Sequence, residues 1–556
     1  MANAQAEKDL KRPLQRLLQV LNLERREIGS IYFYAILAGL LQLTVPLAIQ
    51  AIISFVLAGR FSTSIIVLII LVVASVFFVG LLQVSQMKII EKVQQRIFTR
   101  YSFEFAWRIP KLDLKQIDSY YLPEFVNRFF DTINLEKSLS RLLLDIPAAI
   151  IQVIFGLILL SLYSNVFIIF SLLVLVILIV IIRVTYAKGL STSLDESERK
   201  YEVAGWLQEI ARVLKSFQFS RGSSLPVDKT DELVTDYLHV RTSHFRILLM
   251  QYWSLIGFKI IITAGMLIVG AFLLVNNEIN VGQFAAAEIV ILLVLASVEK
   301  LIRSLDKIYD ILTSVEKLGK VIDKPLEAEG SLRPDEQQKG LAVSVNDLSF
   351  SYNNEKLILQ QVSFDMQSGE KVCITGSDGS GKSTLLKLLT GAYTDFRGRI
   401  SINNIPIGNY NPALLRAETG ILFHQQDIFQ GTLYENITLG DTTVTTSEIT
   451  AIAAQLGISD FISSLRNGFD TAIDAAGKRL SSAVIRKVLL LRALISHPKL
   501  LLLEEPWLGF DAACKEKVQH YLLHQIPDTT VLVISNDEVF ARKCNQALTM
   551  QHGTII

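Results

Sequence analysis

The sequence predicts a multidomain membrane protein: an all-α domain of six membrane-crossing helices, then an α/β domain on a largely parallel sheet. Three observations carry this expectation. Apolar runs of about 20 residues, the length that crosses a bilayer as a helix, fill the first half of the chain. From Leu341 onward they give way to short β-rich runs alternating with helical stretches. Hydrophobic residues make up 51% of the 556 residues and charged residues only 19%, with mean hydropathy +0.40, more apolar than a soluble chain of this size.

The spans are read, in order, near Ile31–Leu57, Ile65–Val84, Leu142–Leu162, Val166–Val184, Trp253–Val275 and Phe284–Ile302. They pair through short connectors, Ala58–Ser64, Tyr163–Asn165 and Asn276–Gln283. Between pairs the connectors are long, Ser85–Arg141 and Thr185–Tyr252. The first long connector is rich in Lys and Arg, whereas the short ones carry only Arg60, so the positive-inside rule puts the long connectors and both termini in the cytosol. That reads as a multi-pass membrane protein, with lipid as its surroundings. Before the spans, residues 1–28 read as a cytosolic helix (Leu10, Leu14, Leu17, Leu18, Leu21) without the apolar core and cleavage site of a signal peptide.

The long connectors should be helices continuing out of the membrane, able to reach a cytosolic domain. Ile109–Arg128, with two prolines and a turn-like centre, is where the first would reverse; Ser216–Lys229 is its counterpart in the second. The membrane domain is read as residues 29–323, closing on the charged segment Arg303–Asp323. A linker, 324–340, then leads to the α/β domain, 341–556. Its strand candidates are Val343–Phe350, Lys371–Thr375, Gly398–Ile402, Gly420–Phe423, Leu500–Leu503 and Thr530–Ser535.

Two motifs give this domain chemistry. Gly376, Ser377, Asp378, Gly379, Ser380, Gly381, Lys382, Ser383 and Thr384 fit GxxxxGK(S/T) between the strand Lys371–Thr375 and a helix at Leu385–Leu389. Such a loop wraps phosphates with backbone N–H groups at a helix N-terminus. Lys382 would reach the β- and γ-phosphates of ATP, and Ser383 would offer a hydroxyl to Mg²⁺. Leu500–Pro506 is an apolar strand ending in two carboxylates. Ligands in open parallel sheets sit beyond the strands' carboxyl ends, so Glu504 would hold Mg²⁺ through water and Glu505 would act as general base toward the attacking water. A net charge of +1 gives no sign of a nucleic-acid partner, and three cysteines (Cys373, Cys514, Cys544) without CxxC spacing suggest neither a disulfide framework nor a zinc site.

The phosphate loop, the Leu-rich strand ending in carboxylates and Pro, the six spans and their fused order resemble ABC exporters over nearly the whole chain. Leu480–Asp511 is similar in spacing to the family's signature-to-D-loop stretch, which is more specific than the phosphate loop. The resemblance implies that Tyr352 stacks on adenine, that Asp511 is the D-loop aspartate, and that Phe429–Ile437 follows the Q-loop. It also implies composite ATP sites, each built from one chain's phosphate loop and another chain's signature. The chain would then work as half of a homodimer, or of a heterodimer with a second ABC half-transporter.

The pattern departs from the family in four places. LSGGQ appears as Leu480, Ser481, Ser482, Ala483 and Val484, keeping the Ser481 hydroxyl but losing both glycines and the glutamine. The switch histidine falls on Asn536, which donates a hydrogen bond but carries no charge at neutral pH. Glu504 stands for an aspartate. The Q-loop glutamine, a Mg²⁺ and nucleotide contact, falls on His424 by counting back from Phe429, or on Gln425 with one residue deleted. Slow hydrolysis with ATP binding retained is the expectation. Glu288, inside the last span, is a functional candidate or else lies near the outer interface. The membrane half looks most similar to exporters of peptides and proteins, for which a periplasmic adaptor would be a possible partner. A small-molecule or lipid exporter and a slow-hydrolysing, ATP-gated regulatory subunit are the alternatives.

Overall fold

The computed structural model describes residues 2–59, 63–118, 121–335, 337–352, 356–424 and 427–556, with side chains described from residue 13 onward except at 476. The chain divides into two compact units, Met1–Pro110 with Tyr120–Lys324, and Lys111–Ser119 with Pro325–Ile556.

In the first unit, six helical stretches among the described residues are long and apolar enough to cross a membrane: Arg25–Leu57, Thr63–Lys111, Leu122–Ser161, Asn165–Arg212, Leu225–Val275 and Val281–Ile322. Each contains one expected span. The longest has 51 residues, about 75 Å at 1.5 Å per residue, far more than the roughly 30 Å of bilayer hydrocarbon. The long connectors are therefore the same helices running on into water. The first stretch breaks at Leu43, between Arg25–Gln42 and Thr44–Leu57, because Pro46 has no N–H to offer the carbonyl one turn earlier. Pro147, by contrast, sits inside the unbroken helix Asp131–Ser161. The short connectors are shaped by caps: Ser164 accepts from Val166 N–H, and Asn280 forms a capping box with Gln283. Phe77 and Ile169 are 65% and 72% exposed, as suits side chains that meet lipid. Inside, Gly189 lies so close to the ring of the fully buried Tyr309 that a Cβ would fall 2.3 Å from it.

Lys317, on the continuation of the last helix, is 4% exposed and lies 5.5 Å above the Tyr201 ring. Burial, with Lys320 nearby, pushes its ammonium down to about 8 from an ordinary value of 10.5. Between those two values the unfolded chain holds a proton that the folded chain does not, so stability rises with pH across that window. Thermal unfolding of the purified protein from pH 7 to 10 should show this rise, and Lys317→Met should make it shallower, leaving the share of Lys371, which burial also lowers to about 8. Equal slopes in the two proteins would refute the assignment.

The second unit carries a six-stranded sheet in the order Thr554–Ile555, Gln546–Gln551, Lys371–Gly376, Thr530–Ile534, Leu500–Glu504, Thr419–Leu422. All neighbours are parallel except the edge strand Thr554–Ile555. A separate antiparallel sheet orders Leu359–Met366, Val343–Phe350, Arg397–Ile402 and Ile405–Pro406. This corrects the expectation for Val343–Phe350 and Gly398–Ile402, which lie outside the parallel sheet. Central strands buried on both faces, such as Leu500–Glu504 and Thr530–Ile534, read as continuous apolar runs. Leu359–Met366 buries alternate positions and, like Gln546–Gln551, was not anticipated.

The turn of the first long connector groups with this second unit. Its short helix Leu114–Ile117 is capped by Asp113. Asp118 accepts from the Tyr393 hydroxyl at 2.8 Å, Lys115 pairs with Asp395, and Asp113 N–H donates to the Pro325 carbonyl at 3.1 Å. Ser216–Lys229 stays with the first unit, with the short helix Leu214–Gln218 and then the start of Leu225–Val275.

Candidate nucleotide site

Register brings the chemical residues to one edge. Ile534 is level with Ile374 on one side and Glu504 on the other, and Leu422 is level with Leu503. The residues just past those ends are the phosphate loop, Glu505, Ser535–Asn536 and His424. The sheet thus gathers four sequence-distant segments at its carboxyl edge.

The loop has the backbone that phosphates require. Gly376 and Gly381 have φ of +145° and +104°; a Cβ would lie 2.1 Å from the Met550 carbonyl oxygen at the first and 2.7 Å from Leu359 Cδ2 at the second. Gly381 is the N-cap of the helix Lys382–Leu389, so Lys382, Ser383 and Thr384 form its first turn, earlier than the expected start at Leu385. The Lys382 ammonium donates to the carbonyls of Gly376 and Ser377 at 2.7 and 2.8 Å. Burial lowers its pKa, while Asp378, Glu505 and Glu504 oppose that shift. The Ser383 hydroxyl donates to Glu504 Oε1, and Glu504 Oε2 accepts from His424 N–H at 2.8 Å. A hydroxyl and a carboxylate meeting beside a phosphate loop are the hard oxygen donors that Mg²⁺ takes. The residues therefore fit the ion, for which Ser383 and Glu504 would be the protein-side donors.

Glu505 has φ +44°, an uncommon backbone for a residue with a Cβ. Two bonds hold it there: its N–H donates to the Ile534 carbonyl at 2.9 Å, and its Oε2 accepts from the Ser535 hydroxyl at 3.1 Å. The carboxylate is thereby aimed past the strand end, beside the loop.

Two family models match this chain: the ABC transporter transmembrane region over residues 28–298, and the ABC transporter domain over 359–508. The chain belongs to the ABC transporter family. Antigen peptide transporter 1 of Rattus norvegicus is 31% identical over 321 residues, 55% of this chain and 43% of that protein. The alpha-hemolysin translocation ATP-binding protein HlyB of Escherichia coli O157:H7 is 25% identical over 367 residues, 65% of this chain and 51% of its own length. The leukotoxin export ATP-binding protein LtxB of Aggregatibacter actinomycetemcomitans is 26% identical, with the same two shares. The chain thus spans about half the length of the curated relatives it matches. Its fold matches a solved bacterial Atm1-family ABC exporter with ATP bound, at TM-score 0.87 and 19% identity, over 96% of this chain and 94% of that one. The ABC transporter domain implies ATP binding at this edge.

Within the ABC domain, the departing motifs take ordinary structural roles. Ser481 is the N-cap of the helix Ser482–Leu494, accepting from Val484 N–H at 3.3 Å. Asn536 Oδ1 accepts from Gly376 N–H at 3.0 Å, so its side chain tethers the phosphate loop. Asp511 caps the helix Ala512–His520 through Cys514 N–H at 2.8 Å. The Tyr352 hydroxyl pairs with Thr384 Oγ1 at 3.1 Å, and its ring packs edge-on against Phe350 and Tyr393 at 5.0 and 5.5 Å. Gln425 lies outside the described residues. Glu288 Oε2 is buried with no hydrogen-bond partner among the described residues.

Sequence reasoning missed Arg486, Ser535 and the role of His424. Arg486 is 6% exposed; its Nη1 donates to the carbonyls of Phe423 and Glu504 at 3.1 and 3.3 Å, and its Nη2 lies 3.4 Å from His424 Nδ1. It ties the signature helix to both strand ends. The only signal was an arginine one turn past Ser481. Arg486→Met should cost about 2 kcal/mol, because two buried carbonyls lose their donor. Chemical unfolding of the purified protein measures this; no loss would show that the carbonyls find other partners.

Proposed function

We propose that this chain is one half of a dimeric, ATP-driven exporter of peptides or proteins across the cytoplasmic membrane, with both termini in the cytosol. One observation carries the reading. The phosphate loop, Ser383, Glu504 and Glu505 converge on one sheet edge in the same chain as six membrane-length helices. The peptide and toxin transporters among the relatives support the substrate class.

ATP with Mg²⁺ binds on the loop, Lys382 neutralises phosphate charge, and Ser383 and Glu504 hold the ion. Glu505 takes a proton from the attacking water. Tyr352 offers the adenine a ring. Asn536 reaches the γ-phosphate only through its amide, and the Q-loop contact falls to His424 or Gln425. Ser481 and Asp511 face a second copy, or a related half-transporter, whose phosphate loop they complete. Support for a partner comes from the turn of the second connector, where Phe219 and Val227 are 79% and 72% exposed. The first connector has a physical route to the nucleotide: Asp118 to Tyr393, Tyr393 to Tyr352, and Tyr352 to Thr384 beside Ser383.

A second reading, an ATP-gated subunit with little turnover, is favoured by Ala483, Val484 and Asn536. Sealed vesicles with the nucleotide domain outward separate the two. ATP-dependent accumulation of a labelled peptide, lost in Glu505→Gln, supports export. ATP binding without accumulation of any peptide in a library supports gating.

A further inference from the structure

Beyond the spans, the helical continuations of the first unit enclose a cavity of about 1130 Å³. That is somewhat above the range of about 300–1,000 Å³ for small-molecule pockets. It is bordered by Thr63–Arg108, Asp131–Ser161, Asn165–Arg212, Leu225–Val275 and Val281–Ile322, and is lined mostly by polar and charged side chains.

The charges in it do not balance locally. Of its carboxylates, Glu196 pairs with Arg241, Asp306 and Asp310 share Lys307 at 3.1 and 2.7 Å, and Asp131 accepts from the Tyr201 hydroxyl at 2.6 Å. Three cations at its wall, Lys137, Arg141 and Lys200, form no ion pair among the described residues. Lys137 and Arg141 are exposed and stand one helical turn apart on the same face. Across from them Ser197 is 7% exposed, and its hydroxyl has no hydrogen-bond partner among the described residues. A buried hydroxyl left unpaired in a cavity wall is a group awaiting a ligand atom or water. The unpaired cations in the same lining set the sign of that ligand. A lipid is the wrong occupant, because acyl chains would strip water from the exposed Lys137 and Arg141 and return nothing.

We propose that this cavity binds a short acidic peptide, its carboxylates held by Lys137 and Arg141 and one of its polar atoms by Ser197. The proposal deepens the exporter reading by giving its substrate a charge, and it rests on that reading only for the step from binding to transport.

The test is equilibrium binding of a dye-labelled pentaglutamate peptide to the purified full-length protein without nucleotide, with dye-labelled pentalysine as the charge-reversed probe. Pentaglutamate should bind saturably and in preference to pentalysine. The double variant Lys137→Gln/Arg141→Gln should weaken it at least about tenfold, as charge-assisted bonds are lost, and Ser197→Ala about threefold. ATP binding and the thermal unfolding of the whole chain should be unchanged in both, which shows that both units fold. Lys88→Gln/Lys215→Gln, removing two exposed cations elsewhere, should have no effect. Equal affinity for the two peptides, an undiminished affinity in the double variant, or an equal loss in the control pair would overturn the proposal. ATP-driven accumulation of other peptides would survive such a failure, so the exporter reading and the cavity fall separately.

Discussion

Glu505→Gln leaves ATP binding intact and lowers turnover by more than about a hundredfold, the scale of losing a general base. The substitution is nearly isosteric, so the backbone at φ +44° and the bond to the Ile534 carbonyl are kept. The Ser535 hydroxyl still has an amide oxygen to donate to. Lys382, Ser383 and Glu504, which hold phosphate and ion, are untouched. What is lost is the carboxylate charge and its capacity to take a proton. Phosphate release and retained nucleotide, measured on the same preparation, check both halves of the expectation. Residual turnover above a tenth of wild type would move the base elsewhere.

Restoring the family's residues should act in the opposite direction. The combined variant Ser482→Gly, Ala483→Gly, Val484→Gln and Asn536→His is expected to raise turnover at least about tenfold, which corresponds to about 1.4 kcal/mol of barrier. The helix Ser482–Leu494 begins with free N–H groups suited to a phosphate, but the Cβ atoms at 482 and 483 hold its backbone back from close approach. Asn536 spends its oxygen on Gly376 N–H, whereas a histidine could place a charged donor near the γ-phosphate. The gain is partly offset because Gly376 N–H then needs another acceptor. Steady-state phosphate release at saturating ATP is the measurement. A wild type already as fast as the variant would show that neighbouring groups, Arg486 and Ser535 first among them, complete the site as it stands.

Much of this architecture was legible one segment at a time. The six apolar runs mark the six helices because bilayer thickness sets a length and hydrocarbon sets a composition, and both are properties of consecutive residues. Leu500–Glu504 and Thr530–Ile534 announced themselves because strands buried on both faces are apolar without interruption. Leu359–Met366 did not, because a half-buried strand carries only alternate apolar residues, and its pairing with Val343–Phe350 in a separate antiparallel sheet is a long-range choice. The phosphate loop was readable as a motif because its glycines are needed by the local backbone. Arg486 was not: its two carbonyl partners lie 63 and 18 residues away and meet it only when two strands end level.

The sequence by itself therefore determined the membrane-crossing half, the phosphate loop and the paired carboxylates, since each depends on residues adjacent in the chain. Only the tertiary structure decided that Ser383 meets Glu504, that Ser535 holds Glu505, that Asn536 is tied to Gly376, and that Lys137 and Arg141 line a polar cavity without an ion pair among the described residues. Those facts depend on strand register and helix packing, which follow from burying many distant side chains at once, and no local pattern encodes them.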